Sequence, residues 1–263
     1  MAQEPRLLVG YGVRDVTPPP GTHMSGFAAR TSPAAGAHDP LQARAVAFSD
    51  GGALLLAVVL DVIGVDAHLA AAVRDGVLRL ASPRPDDVVV AATHTHGGPP
   101  VLRDAFLGPV DDAVLARVVA GAVEAGLDAV RDLAPAELEH GVGHEATVAH
   151  DRRVPGGPVD PRVPVVRARR EGRRDVVLVG YACHPVTLGP DNLLFTRDYP
   201  GFLVDALESL LPGSAAVFLG GCSGQVNTGH AAHASADLTG TPRRTFAEAR
   251  RIGEALAGAA ASA

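Results

Sequence analysis

The stretch Thr93-His94-Thr95-His96-Gly97-Gly98-Pro99 sets two imidazoles one residue apart, directly after the apolar run Val88-Val89-Val90-Ala91-Ala92. That run reads as a strand, and the Gly-Gly-Pro-Pro segment as the polar loop that follows it. In an extended strand residues i and i+2 face the same side, so the spacing predicts that His94 and His96 address one pocket. Neutral imidazole is the commonest metal ligand, which makes metal binding or proton transfer the expected chemistry. Two polar side chains merely closing a strand is the plain alternative.

The same logic recurs further along. Asp175 to Ala182 is strand-like and ends in Cys183-His184-Pro185-Val186-Thr187, again an apolar strand, an imidazole and a proline. Asp61 stands near the end of the hydrophobic run Ala53 to Ile63. A carboxylate there has to be hydrogen-bonded, paired or close to a metal, because burying it unpartnered is costly or shifts its pKa; capping the next helix, near Val65-Asp66, is the simpler role. Between two later strands lies the polar loop His150-Asp151-Arg152-Arg153-Val154-Pro155-Gly156-Gly157.

The buried strand Ala215 to Leu219 empties into Gly220-Gly221-Cys222-Ser223-Gly224-Gln225-Val226-Asn227. Cys222 sits there in a Gly-x-Cys-x-Gly pattern, the outline of a nucleophile elbow. An elbow needs a helix immediately afterwards, but Asn227-Thr228-Gly229 breaks the chain. It also needs an acid and then a histidine downstream, whereas His230 and His233 precede Asp237. A Cys222 hydrolase is therefore the weaker alternative, and both cysteines read more simply as small buried residues.

The elements that must position these residues follow from hydrophobic period. Strands are expected at Leu7 to Val13, Leu41 to Ser49, Ala53 to Ile63, Glu137 to Val148, Val163 to Arg169 and Asp175 to Ala182, with Ser49-Asp50-Gly51-Gly52 as a hairpin turn. Amphipathic helices are expected over Ala67 to Ala81, from Asp111-Asp112 to Asp132, from Tyr199 to Leu211, and from Pro242 to the end, Pro242 suiting a first helical turn. A long Gly-, Ala- and Pro-rich loop to Pro40 carries His23, Gly26, Phe27, Arg30, His38 and Asp39, and a loop of that length is usually functional or mobile. The mixture of hairpins and strand-helix crossovers predicts an α/β fold, a mixed sheet with helices packed on its faces. The site loops then lie at strand C-terminal ends, which converge on one edge of such a sheet.

Composition narrows the partners. The chain has 263 residues, 47% hydrophobic, and a net charge of −6. With no long block of like charge, nucleic acid is not an expected partner; the basic run Arg167 to Arg174 reads as a solvated hairpin tip. Met1 to Arg6 has no apolar core of a leader, and no run of about 18 apolar residues follows, so a cytoplasmic protein without a transmembrane segment is expected. Two cysteines make no disulfide framework. Only 4% of residues are aromatic, which favours an aliphatic or small polar substrate.

Assembled, these residues resemble the amino-terminal domain of the neutral, non-lysosomal ceramidase family and its smaller bacterial relatives. The resemblance runs through Gly12, Asp15, Thr17 and Pro18; Gly26 and Phe27; His38, Asp39 and Leu41; Asp61; Thr93-His94-Thr95-His96-x-Gly-Pro; Asp151-Arg152; His184-Pro185; Asp198-Tyr199-Pro200-Gly201; Gly224-x-Val-Asn227; and Arg244 to Leu256. It implies one ceramidase-like domain over 1–263 and a zinc-dependent hydrolase of an amide (N-acyl) bond acting through metal-activated water. The substrate would be a small-molecule or lipid-like amide. His94 falls on the family's first zinc-binding histidine and His184 on its second. His96 falls on the histidine that faces substrate, where it could donate to an oxyanion or shuttle a proton, and Arg152 on a substrate-site arginine.

Three departures accompany the resemblance. Asn227 stands where the family has a serine. The family's later glutamate and tyrosine ligands and its immunoglobulin-like domain have no counterpart before Ala263, and with them goes the aromatic surface a sphingolipid wants. Two histidines alone are fewer than the three protein ligands of a usual catalytic zinc site. The third ligand is left among His96, Asp61, Asp198 and a residue of a second subunit, in a homo-oligomer or from a partner. A non-catalytic or partner-dependent domain with an incomplete metal site is the alternative from another class.

Overall fold

A computed structural model describes residues 7–103, 108–239 and 243–263. The strands are β1 (Leu8–Asp15), β2 (Gly36–Ala37), β3 (Gln42–Ser49), β4 (Leu54–Leu60), β5 (Asp87–Ala92), β6 (Ala134–His144), β7 (His150–Asp151), β8 (Arg162–Arg170), β9 (Asp175–Tyr181), β10 (Leu194–Phe195), β11 (Ser214–Gly220) and β12 (Val226–Asn227). The helices are α1 (Ala67–Leu80), α2 (Asp112–Arg131), α3 (Tyr199–Leu210) and α4 (Phe246–Ala261).

Eight strands form one mixed sheet in the order β11-β9-β8-β6-β1-β3-β4-β5, parallel at β4–β5 and β9–β11 and antiparallel elsewhere. The sheet is bent on itself. Val9, Val46 and Val59 of β1, β3 and β4 share one apolar cluster with Ala136, Ala168, Val176 and Val217 of β6, β8, β9 and β11. Two further clusters lie outside these halves, one against α1 and α2 and the other against α3 and α4. The result is four layers, helix, half-sheet, half-sheet, helix, held by three apolar interfaces. β3 shows why: a run of residues on both of its faces is buried, as a strand covered on both sides requires.

The mixed α/β architecture agrees with the hydrophobic period, with helices confined to the outer faces because the inner faces cover each other. Each half contains one strand-helix-strand crossover, β4-α1-β5 and β9-α3-β11. The bend brings the C-terminal ends of β5 and β9 to the same edge, although five strands lie between them in the sheet order.

Two expectations change. Pro242 lies outside the described residues, and α4 begins at Phe246, where the Thr245 hydroxyl accepts from the Glu248 N–H as an N-cap. The turn between β8 and β9 is a hairpin tip, but Arg170 in it is buried and donates to the Val9 and Asp132 carbonyls and the Asp132 carboxylate. It is a structural ion pair rather than a solvated charge. No described helix is long and apolar enough to cross a membrane.

Candidate metal centre

β5 ends at Ala92, before the histidines, so the extended spacing expected for His94 and His96 does not apply. His94 instead adopts a left-handed backbone, φ 68°, a conformation that non-glycine residues rarely hold without surrounding restraint. Here the His94 N–H donates to the Val62 carbonyl and the ring Nδ1 to the Ile63 carbonyl at 2.5 Å. Both acceptors lie in the loop after β4, the strand paired with β5. His96 is fixed by a different loop, its Nδ1 donating to the Gly26 carbonyl at 2.7 Å. His184, after β9, donates from Nδ1 to the Ser223 carbonyl at 2.5 Å.

These three anchors bring the rings together. The His94 and His184 ring centroids are 4.7 Å apart, His94 and His96 5.0 Å, His96 and His184 5.9 Å. One ligand atom from each lies within 4.8 Å of the other two. A carbonyl only accepts, so each Nδ1 carries its ring's proton, and each neutral ring has its lone pair on Nε2. Backbone carbonyls holding the second nitrogen are how proteins set a metal-binding tautomer. The Nε2 of His96 is buried with no hydrogen-bond partner among the described residues, an orphaned acceptor that a cation would satisfy. The donor set therefore fits a metal ion.

Electrostatics support neutral rings. Burial, and then the neighbouring His94 and His184, push the pKa of His96 down to about 3. Burial also lowers that of His184, with His94 and Arg152 adding to the effect. A neutral His96 with its proton on Nδ1 has no Nε2–H to offer an oxyanion. The expected donor role conflicts with this geometry, which makes the ring an acceptor.

The loop before β3, expected from its length to be functional or mobile, supplies two of the contacts that fix His96. Arg30 is buried and donates to the carbonyls of Ser25 and His96, both at 2.8 Å, and of Gly189 at 3.1 Å. It thus ties three loops to the His96 backbone. Gly26 has φ +106°, and a Cβ there would stand 2.6 Å from the Cβ of His96, so only glycine allows the approach that presents its carbonyl. Nothing local in the sequence marks either partner.

The remaining candidates are placed as follows. Asp61 is buried, but its carboxylate accepts from the Gln42 N–H at 2.8 Å and the Thr93 hydroxyl at 3.1 Å. Burial raises its pKa to about 6 against the pull of Arg197 and Arg44, and it does not join the histidine group. Asp198 caps α3 and accepts from the N–H groups of Thr187, Leu188 and Tyr199. Asn227 is buried and spends its amide on the Gly229 N–H, the His230 N–H and the His230 carbonyl, closing a turn. Arg152 lies near His184, donating to the Gly224 carbonyl at 2.7 Å with a buried, unpartnered Nε–H. Cys222 is exposed, and β11 runs from Gly220 into a turn and β12 rather than a helix, so no nucleophile elbow forms.

Residues 7–232 match a family model described as neutral/alkaline non-lysosomal ceramidase, N-terminal. Two solved structures share the fold. One, a ceramidase complexed with C2, has a TM-score of 0.80 and 21% identity over 98% of this chain and 43% of its own. The other, neutral ceramidase from Pseudomonas aeruginosa, has a TM-score of 0.81 and 21% identity over 99% of this chain and 45% of its own. This chain spans less than half the length of either, and no curated protein matches it. By its family match over most of its length, the chain belongs to the neutral/alkaline non-lysosomal ceramidase family.

Proposed function

We propose that this protein is a zinc-dependent hydrolase of an N-acyl amide bond, with His94, His96 and His184 as the ligands of the ion. The observation that carries the reading is the shared disposition of the three rings, each Nδ1 proton tied to a carbonyl and one ligand atom of each ring within 4.8 Å of the other two. Three imidazoles with an open fourth position are the usual donor set of a catalytic zinc. When bound, zinc supplies a Lewis acid for the amide carbonyl and acidifies water to near neutrality.

The chain's own residues do the rest. Ile63, Gly26 and Ser223 orient the rings through their carbonyls, and Arg30 holds the His96 backbone against them. Arg152, beside His184 with a free Nε–H, binds a polar group of the substrate. Asn227 acts at one remove by shaping the 227–230 turn. Asp61 serves the fold: it joins the backbone of β3 to the start of the histidine loop.

A second reading is favoured by the coverage of under half of the two solved relatives: a domain that binds the ion but needs a further segment or subunit for turnover. Hydrolysis of short N-acyl amides by zinc-loaded protein separates the two. Turnover that disappears on chelation and returns with zinc supports the hydrolase; stoichiometric zinc without turnover supports the partner-dependent domain.

A further inference from the structure

Arg152 opens onto a cleft of about 690 Å³ whose lining is strongly one-signed. Arg152, Arg153 and Arg243 contribute three guanidinium groups, and His150, His230 and His233 three imidazoles. The acidic member of the lining, Asp151, is already committed: it accepts from the Arg153 and Val154 N–H groups and the Gln225 side chain. On a chain of net charge −6 this segregation is the reverse of the average surface.

Pairing makes the contrast sharper. Arg14, Arg44, Arg167, Arg170, Arg197 and Arg251 each meet a carboxylate. Among the described residues no ion pair is formed by Arg152, Arg153, Arg243 or the adjacent Arg244. Arg244 is 7% exposed, and its Nε and Nη1 have no hydrogen-bond partner among the described residues. It stands behind the lining, close enough to His230 to help hold that imidazole's pKa down, after burial, to about 4. Guanidinium nitrogens can only donate, so the buried N–H groups on Arg152 and Arg244 that lack a partner among the described residues are suited to an acceptor supplied by a ligand.

The cleft is coupled to the histidine group through one turn. The Ser223 carbonyl accepts from the His184 Nδ1–H and the Gly224 carbonyl from the Arg152 guanidinium. We propose that the amide cleaved here carries a carboxylate, seated in this cleft by the guanidinium forks of Arg152, Arg153 and Arg243, so that the substrate is an N-acyl amino acid or a close analogue rather than a neutral lipid amide. Planar, bidentate donors match a carboxylate, and a cleft of this size admits a small headgroup rather than a polymer. The inference rests on the amidohydrolase reading above.

The test separates the two. Metal-stripped protein is titrated calorimetrically with N-hexanoylglycinate, its neutral methylamide, and acetate. The glycinate should bind at least about tenfold more tightly than either of the others, and the preference should shrink as salt rises from about 0.05 to 0.5 M. Arg153→Gln with Arg243→Gln, both exposed positions, should reduce the preference to within about twofold while leaving the circular dichroism spectrum unchanged. Equal binding of glycinate and methylamide, acetate binding as tight as the glycinate, or a preference untouched by the double substitution overturns the inference. A binding preference without turnover in the zinc-loaded protein would instead overturn the hydrolase reading and leave the anion cleft standing.

Discussion

His184 and Arg152 hang from adjacent peptide units: the ring donates from Nδ1 to the Ser223 carbonyl at 2.5 Å, and the guanidinium to the Gly224 carbonyl at 2.7 Å. The proposed metal ligand and the proposed substrate-binding cation are therefore indexed to the same turn, although 32 positions of sequence part them. Arg152→Ala should remove a charge-assisted contact of about 1.5–3 kcal/mol, lowering kcat/KM by roughly 10–100-fold with zinc content unchanged. Loss of zinc in step with activity would show that Arg152 acts by holding the turn.

Arg30 satisfies three carbonyls from one buried guanidinium. Arg30→Met fills a similar volume but strands the Ser25 and His96 carbonyls, each at a cost of about 1–3 kcal/mol, whereas the Gly189 carbonyl keeps the Asn192 N–H. Urea unfolding should show a loss of about 2–5 kcal/mol, accompanied by weaker zinc binding because the His96 carbonyl loses its tether. A variant as stable as the parent would remove Arg30 from the framework of the site.

Asp61 gives a pH signature. Burial raises its folded pKa from 3.8 to about 6, so its contribution to stability is full below the lower value and is lost as pH rises through the upper one. Two pKa units correspond to about 3 kcal/mol. In metal-stripped protein, the stability of wild type relative to Asp61→Asn should fall by about that amount between pH 4 and pH 7. Parallel stability curves would mean that the carboxylate is not desolvated as its burial implies.

Much of this was legible because strand ends announce themselves. Val88 to Ala92 and Asp175 to Ala182 are apolar runs followed by a histidine and a proline, and β5 and β9 do deliver His94 and His184 to one edge. The reason they meet is not local: it is the bend that gathers Val46 and Val217 into one apolar cluster, a grouping that no window of sequence contains. For the same reason Asp61 looked like a ligand when its real neighbours, Gln42 and Arg197, come from elsewhere in the chain. The tautomers could not be read at all, since they depend on carbonyls of Gly26, Ile63 and Ser223, and a carbonyl has no residue type. Asn227 lies in the expected loop, but its side-chain amide is used up by the backbone of Gly229 and His230, partners that residue type alone does not reveal.

The central claim is that three imidazoles share one ion, with His96 among them. Chelator competition measures zinc affinity directly in wild type and in His94→Ala, His96→Ala and His184→Ala, each shown to be folded. All three variants should bind at least about 100-fold more weakly, beyond the loss typical of an outer-shell change. Wild-type affinity in His96→Ala, with loss confined to the other two, would contradict the account and return His96 to the substrate side of the site.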